Sequence, residues 1–458
     1  MKFTEQQIAN LAPKPAAFKA GQKLANLPKW DSYGRSERAM WGELRGSGSK
    51  PYKTQIDIVE LAYKCSCPSR QFPCKHSLGL MLLNTQNESE FKASEEPEWV
   101  NDWISKRQAK AAAPPKEEKD HTPAELEKLE KAKKQRADAR MMSVKAGVEE
   151  LELWLKDLIR MGYLHLPLKP ISDFEKVAAR MVDAKAPGLA SWVKGFGHLN
   201  YSDKKAWQEE AMVLSAKLNL LLQTFKNYNQ LDPLWQLSIR NLLGWNQSTK
   251  DLQADKSIKA IKDEWLVISQ EREENDDLII ERNWLMGTSS KRAALILNFG
   301  NRFNPLNSTL SAGLILQAAL KFFPSVYEQR AIIQNQRALL PSLSKLPKFE
   351  KAWKPLRSQW RSAMNIYPWI NNLSFFIEKV QIINSGNQYF IVDQKQDMEI
   401  VHPRFDQRQL MSWIVISGNG PINLAGIYRQ GSILPMGIFD GKKYMILEKE
   451  KTYVERSY

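Results

Sequence analysis

Cys65-Ser66-Cys67-Pro68-Ser69-Arg70-Gln71-Phe72-Pro73-Cys74-Lys75-His76 is the stretch on which the reading of this chain turns. Its three cysteines are the only ones in 458 residues. An odd number cannot form a closed disulfide set, and a Cys65–Cys67 bridge would be strained. Three thiolates and an imidazole held for a metal in a reducing compartment account for all four residues at once. Zinc takes four such ligands tetrahedrally. Side chains two apart on a strand share a face, so Cys65 and Cys67 can meet one ion, while Pro68 stops the strand and His76 opens the next helix. Four protein ligands leave no position for water, which makes the expected ion a single structural Zn2+ rather than a hydrolytic one. The histidine and the lack of further cysteines disfavour an iron–sulfur cluster, and the one-residue spacer disfavours a redox dithiol.

Upstream of the ligands, Tyr52, Thr54, Ile56 and Ile58 alternate with Lys53, Gln55, Asp57 and Val59, a strand period. Gly46-Ser47-Gly48-Ser49-Lys50-Pro51 connects this strand to a preceding one over Met40–Arg45. A third strand carries Leu61, Tyr63, Cys65 and Cys67 on one face. Downstream, Leu78, Met81 and Leu82 fall at helical spacing. The order is β-β-β-turn-α, too small for a large core, so zinc would supply much of the module's folding free energy.

With these residues in view, the pattern Cys-x-Cys, six residues, Cys-x-His resembles the SWIM zinc finger. Trp41-Gly42-Glu43-Leu44-Arg45-Gly46 and the ligand stretch are similar to bacterial SWIM proteins often encoded beside MoxR-type AAA+ ATPases and von Willebrand A-domain proteins. Leu151-Glu-Leu-Trp-Leu-Lys-Asp-Leu-Ile-Arg and Ala179-Arg-Met-Val-Asp-Ala-Lys-Ala-Pro-Gly-Leu-Ala also resemble segments of that group. The ligand pattern carries over to Cys65, Cys67, Cys74 and His76 without departure. The resemblance implies contacts with DNA or with proteins, and names AAA+ ATPase and von Willebrand A-domain proteins as the partner class.

Beyond the module the expected fold is α+β and multidomain. Residues 1–29 read as a polar arm, 30–90 as the zinc module and 91–121 as a linker with one turn anchored by Trp99 and Trp103. A mainly helical region follows over 122–260. It opens on a helix with Thr122 as N-cap, Pro123 at its first position and Glu125 completing a capping box, running to Met161 with Gly162 as its stop. The middle of that helix, Lys131–Arg140, is thin in apolar residues and reads as a solvated span. Further helices are expected at Phe174–Val182, Asp203–Asn227 and Pro233–Leu243. Residues 261–370 read as mixed α/β, with strand-like runs around Trp265–Phe299 and a helix over Leu310–Phe323. Residues 371–458 read as strand-rich, with strands at Gln388–Asp393, Trp413–Ser417, Gly437–Phe439 and Lys443–Leu447, the last two joined by the Asp440-Gly441 hairpin signal. No long repeat period is evident.

Composition limits the function classes. Hydrophobic residues make up 43% of the chain, with 15 Trp, which excludes a wholly disordered chain. No apolar run reaches the roughly 18–20 residues of a membrane span, and the N-terminus lacks a signal core, so a soluble cytoplasmic protein is expected. The net charge of +15 favours polyanion contact by counterion release. Arg45, Lys50, Lys53, Arg70 and Lys75 are the candidate nucleic-acid contacts. Glu37, Glu43, Asp57 and Glu60 oppose them. His121, His165, His198 and His402 are scattered, and no catalytic motif is recognised, though carboxylates brought together by the fold stay open. The leading expectation is a zinc-binding adaptor for protein partners, and the alternative is DNA binding through the finger's basic surface.

Overall fold

The computed structural model describes residues 3–447 apart from 47–49, 92, 113–122, 203–205, 246, 276–277, 302, 305, 387, 404, 406 and 430. The chain is α+β and multidomain, with three antiparallel sheets among the described residues. Its first residues are not a polar arm. Thr4 caps α1 (Glu5–Leu11) through a reciprocal capping box with Gln7, and Pro15 opens α2 (Pro15–Gln22). Phe3, Ile8 and Leu11 are fully buried, a clustering too short to register as periodicity.

Strands β1 (Trp30–Arg35), β2 (Ala39–Leu44), β3 (Tyr52–Asp57) and β4 (Ala62–Cys65) pair in chain order, followed by α3 (Lys75–Gln86). Every residue of α3 from His76 to Asn84 is buried. A helix apolar on all sides must be enclosed on all sides, and α3 is held between the four-stranded sheet and α1 and α2. Where a single turn was expected at Trp99 and Trp103, helix α4 (Glu98–Ala112) lays Val100 and Ile104 against Ala39 and Trp41 on the other face of that sheet.

Pro123 does open a helix, α5 (Pro123–Met161), and Gly162 ends it at φ 80°. Thr122 lies outside the described residues. Val144, Val148, Leu151, Leu155 and Leu158 bury one face of α5, whereas residues 134–140 are exposed throughout. That face packs with α6 (Ile171–Asp183), α7 (Pro187–Gly197), α8 (Ala206–Lys226) and α9 (Pro233–Leu242) in a helical bundle. Helix α7 was missed, although Pro187 and the apolar Leu189, Trp192, Val193 and Phe196 are its signals. Short α10 (Thr249–Ala254) closes the region.

The remaining strands build one topology twice. β5 (Ile261–Asn275), β6 (Leu278–Gly287), β7 (Ala293–Asn301), β8 (Ile315–Phe322) and β9 (Ala331–Leu340) lie in the order β7-β6-β5-β8-β9. A parallel bridge between Leu295 and Arg330, with Leu295 N donating to Gln329 O at 2.7 Å, joins the two ends into a barrel. After α11 (Trp353–Ile366) come β10 (Asn372–Ser385), β11 (Gln388–Val392), β12 (Met398–Ile400), α12 (Gln407–Ser417), β13 (Ile422–Arg429), β14 (Ser432–Asp440) and β15 (Lys443–Ile446). Their order is β12-β11-β10-β13-β14-β15, and a parallel bridge between Val401 and Ile433 again brings third and fifth strands together. In each barrel the long first strand bulges, at Val267/Ser269 and at Ile377/Val380, and pairs with the fourth strand before the bulge and mainly with the second after it. This is the five-stranded Greek-key barrel of the OB type.

Two expectations fail here. The segment Leu310–Phe323 contains β8, not a helix: a strand buried between β5 and β9 reads as a continuous apolar run, which periodicity cannot tell from a buried helix. Trp413–Ser417 belongs to α12, not to a strand: Trp413 packs into the second barrel's core with Leu410 and Ile416 at helical spacing, while Ile414 and Val415 between them face outward. The hairpin at Asp440-Gly441 is present, with Gly441 at φ 55° and Asp440 paired to Lys443.

The finger is fused to the first barrel. One core runs from Ile8, Leu11, Met40 and Leu80 to Trp265, Val267, Leu285 and Leu316. Arg272 donates to the carbonyls of Ala12 and Asn10, at 2.5 and 2.7 Å, and Leu339 N to Val59 O at 3.3 Å. A second core joins the barrels, with Trp284 and Met286 against Phe376, Ile427 and Met436.

Candidate metal centre

The four ligands come from three local structures. Cys65 is the last residue of β4 and sits opposite Thr54 of β3. Cys67 lies past the strand end, in a turn rather than on a strand face, held there because Ser66 exchanges two hydrogen bonds with the backbone of Lys53. Cys74 is the N-cap of α3 and His76 its second residue, so the start of the helix delivers both. Cys74 and His76 are buried, and Cys65 and Cys67 half-buried.

The ligand atoms all lie within 4.8 Å of one another. His76 Nδ1 is 3.6 Å from Cys65 Sγ and 3.9 Å from Cys74 Sγ. Zinc–ligand bond lengths in a tetrahedron place sulfur and nitrogen about 3.5 Å apart and two sulfurs about 3.8 Å apart. The residues therefore fit zinc, and Cys65, Cys67, Cys74 and His76 hold one structural ion. Among the described residues this is the one cluster of His, Cys, Asp or Glu placed for a metal.

The electrostatics suit a cation. Without it the Cys65 thiol donates to Cys74, which pushes Cys65 up and draws Cys74 well below the ordinary thiol range, while burial raises Cys67. A zinc ion held by these residues would take the place of the shared proton and favour the ionised form of all three sulfurs. Three neighbours support the ligands. Thr54 Oγ1 is 3.1 Å from Cys65 Sγ, Ser77 Oγ is 3.5 Å from Cys74 Sγ, and the Tyr52 ring lies against the His76 imidazole at 4.9 Å. Sequence reasoning named none of these as site residues, although the alternation that put Tyr52 and Thr54 on the face of Cys65 was the available signal.

The basic candidates separate into two groups. Arg45 pairs with Asp31 at 2.6 Å, and Lys53 with Glu43 at 3.6 Å. Lys50, Arg70 and Lys75 are exposed around the ligand loop. Helix α4 adds aromatics that the sequence did not place at this surface, with Lys53 over the Trp99 ring at 5.3 Å and Arg107 over Trp103 at 5.5 Å. Arg107 also pairs with Asp57 and Glu60, and Arg38 with Glu96.

Residues 52–83 match the SWIM zinc finger, and residues 139–243 match the SWIM-associated four-helix bundle domain. The second match begins where α5 joins the bundle. No curated protein and no solved structure gives a match to the chain. No helix among the described residues is long and apolar enough to cross a membrane. The tetrahedral fit of Cys65, Cys67, Cys74 and His76, with a finger match around them and a bundle match behind them, supports a zinc-binding protein of the SWIM type.

Proposed function

We propose that this chain is a zinc-stabilised adaptor that docks other proteins, with MoxR-type AAA+ ATPase and von Willebrand A-domain proteins as its partner class. The observation that carries the reading is an exposed apolar run at the α5–α6 junction. Met161, Leu164, Leu168 and Ile171 are 50%, 73%, 79% and 50% exposed within eleven residues. Such clustering on a water-facing surface marks a contact site. The zinc, closed by four protein ligands, is a brace and not a reagent. The partner class rests on the resemblance of the finger and bundle segments to SWIM proteins of that setting.

The test is co-purification of the zinc-loaded chain with a MoxR-type ATPase and a von Willebrand A-domain protein expressed beside it. Leu164→Ser/Leu168→Ser is expected to abolish the complex while leaving zinc content and melting temperature unchanged. A complex that forms equally with the double variant would sink this surface, and none with the unaltered chain would sink the partner class.

The second reading, DNA binding by the finger, draws support from exposed Lys50, Arg70 and Lys75 and from Trp99 beneath Lys53. It requires that Lys50→Ala/Lys53→Ala lower the salt slope of duplex binding by about 0.9 for each phosphate no longer neutralised.

A further inference from the structure

The two barrels pack head to tail, which leaves one equivalent face covered and the other open. In the first barrel the outer face of the second and third strands carries Trp284 paired with Leu295 and Met286 paired with Ala293. These residues are closed over by Phe376, Ala425, Ile427, Leu434 and Met436 of the second barrel, and Arg429 of β13 reaches Glu271 of β5 at 2.8 Å. The corresponding pairs in the second barrel are Phe390 with Ile400 and Val392 with Met398. This face is more open than its counterpart: Phe390 and Val392 are half-buried and their partners on β12 are exposed. Met398 and Ile400 are 52% and 37% exposed, and Ile383, opposite Phe390 on the first strand, is 40% exposed.

The surroundings of the open face are cationic. Lys379 is exposed at the bulge in the middle of β10, and Lys395 in the β11–β12 turn. Helix α11 runs beside the third strand, with Arg357 donating to Met398 O at 3.1 Å. Lys354 and Arg361, about one turn to either side of Arg357, are exposed. The carboxylates at this end already have partners: Asp397 and Glu399 pair with Arg357, and Asp393 accepts from the backbone N–H groups of Trp353, Lys395 and Asp397.

An apolar platform with one aromatic ring, polar Gln381 and Gln388 beside it and cations around it suits a polyanion whose bases are unstacked. A duplex presents the charge but hides the bases. OB-type barrels take oligonucleotides on this same face, through stacking on side chains and phosphate contacts at the rim. We infer that the second barrel binds single-stranded nucleic acid on the outer face of β10, β11 and β12, with Phe390 as the stacking residue and Lys379 and Lys395 on phosphates. The site is separate from the finger and from the apolar run of the bundle.

The test is fluorescence anisotropy of the full zinc-loaded chain with a labelled twelve-nucleotide dT strand, a U strand of the same length and a twelve-base-pair duplex, across salt. Single strands are expected to bind at least tenfold more tightly than duplex. Phe390→Leu keeps the apolar volume and loses the ring, and should weaken binding about tenfold. Lys379→Ala/Lys395→Ala should lower the salt slope by about 0.7 per lysine. Met398→Glu, at a half-exposed site with little folding cost, should weaken binding in the same direction. Lys50→Ala/Lys53→Ala should leave single-strand affinity unchanged. Equal affinity for duplex, no effect of Phe390→Leu and Met398→Glu, or loss with the finger variant instead would overturn the assignment. So would self-association that Met398→Glu abolishes without any oligonucleotide binding, because the face would then be a protein contact.

Discussion

Thr54 reaches the metal centre through a single atom, and its contribution can be separated from that of the ligands. Its hydroxyl, buried and 3.1 Å from Cys65 Sγ, supports a thiolate without touching the ion. Metal analysis of the purified chain should find one zinc per molecule, and Cys67→Ala should not retain it through dialysis. Thr54→Val should keep one zinc but hand it to a chelator about tenfold faster, since partners of this kind tune affinity by about 10–100-fold. An unchanged transfer rate would make Thr54 a packing residue only. Glu281 of the first barrel poses a different case. It is fully buried and accepts from Arg272, Asn283, Asn298 and Ser308 at 2.5–3.1 Å. Glu281→Ala leaves the Arg272 guanidinium its carbonyl acceptors but takes away its carboxylate, which should cost about 3–5 kcal/mol in urea unfolding. The ligands were legible in sequence because all the cysteines fall within ten positions. Glu281 was not, since Arg272, Asn298 and Ser308 come from β5, β7 and the β7–β8 connection, which only the fold brings together.

Among the elements, the β1–β2 turn and the segment leading into α4 are joined by Arg38 and Glu96, whose carboxyl carries a 2.8 Å ion pair to Arg38 and a 2.7 Å bond from Ser36. The Arg38 guanidinium holds the Glu96 carboxyl below the ordinary carboxylate range. A depressed folded-state pKa stabilises above the unfolded value, about 4.3, and the contribution is lost as pH falls through the folded value. Glu96→Gln should therefore lower the melting temperature at pH 7, with the gap to the unaltered chain shrinking below about pH 4.3. A gap of constant size would assign the effect to packing. Elements with strong end signals were readable: Pro123 and Gly162 bound α5, and Asp440-Gly441 turns a hairpin. Those whose character comes from their neighbours were not. β8 resembles a helix because both its faces are largely buried, and α12 resembles a strand because Ile414, Val415 and Ile416 form a β-branched run.

At the scale of the molecule, the finger's ligands secure the start of α3, and α3 belongs to the same core as the first barrel. The linker that the sequence places after the finger would have decoupled the two. Instead, stripping zinc from the full chain should raise hydrogen exchange in β5, β6 and β8 as well as in β2–β4, and leave the bundle helices α6–α9 protected. Loosening confined to residues 30–90 would contradict the shared core. The repeated barrel had no sequence signal, because its two copies share strand order and bulge position but not residues. Pairings such as Leu295 with Arg330 join positions that no local period connects.

Helix α5 has a mechanical consequence. Thirty-nine residues at 1.5 Å each make a rod of about 58 Å, and residues 134–139 within it are exposed on every side before Arg140 and Met141 reach the bundle. Such a rod sets both a length and a phase. Deleting four residues between 127 and 138 shortens it by about 6 Å and turns its far end by about 40°, whereas deleting seven shortens it by about 10 Å yet restores the azimuth to within about 20°. If what joins the two ends of α5 is a matter of angle, the shorter deletion will do more harm than the longer one; if it is a matter of reach, the order reverses.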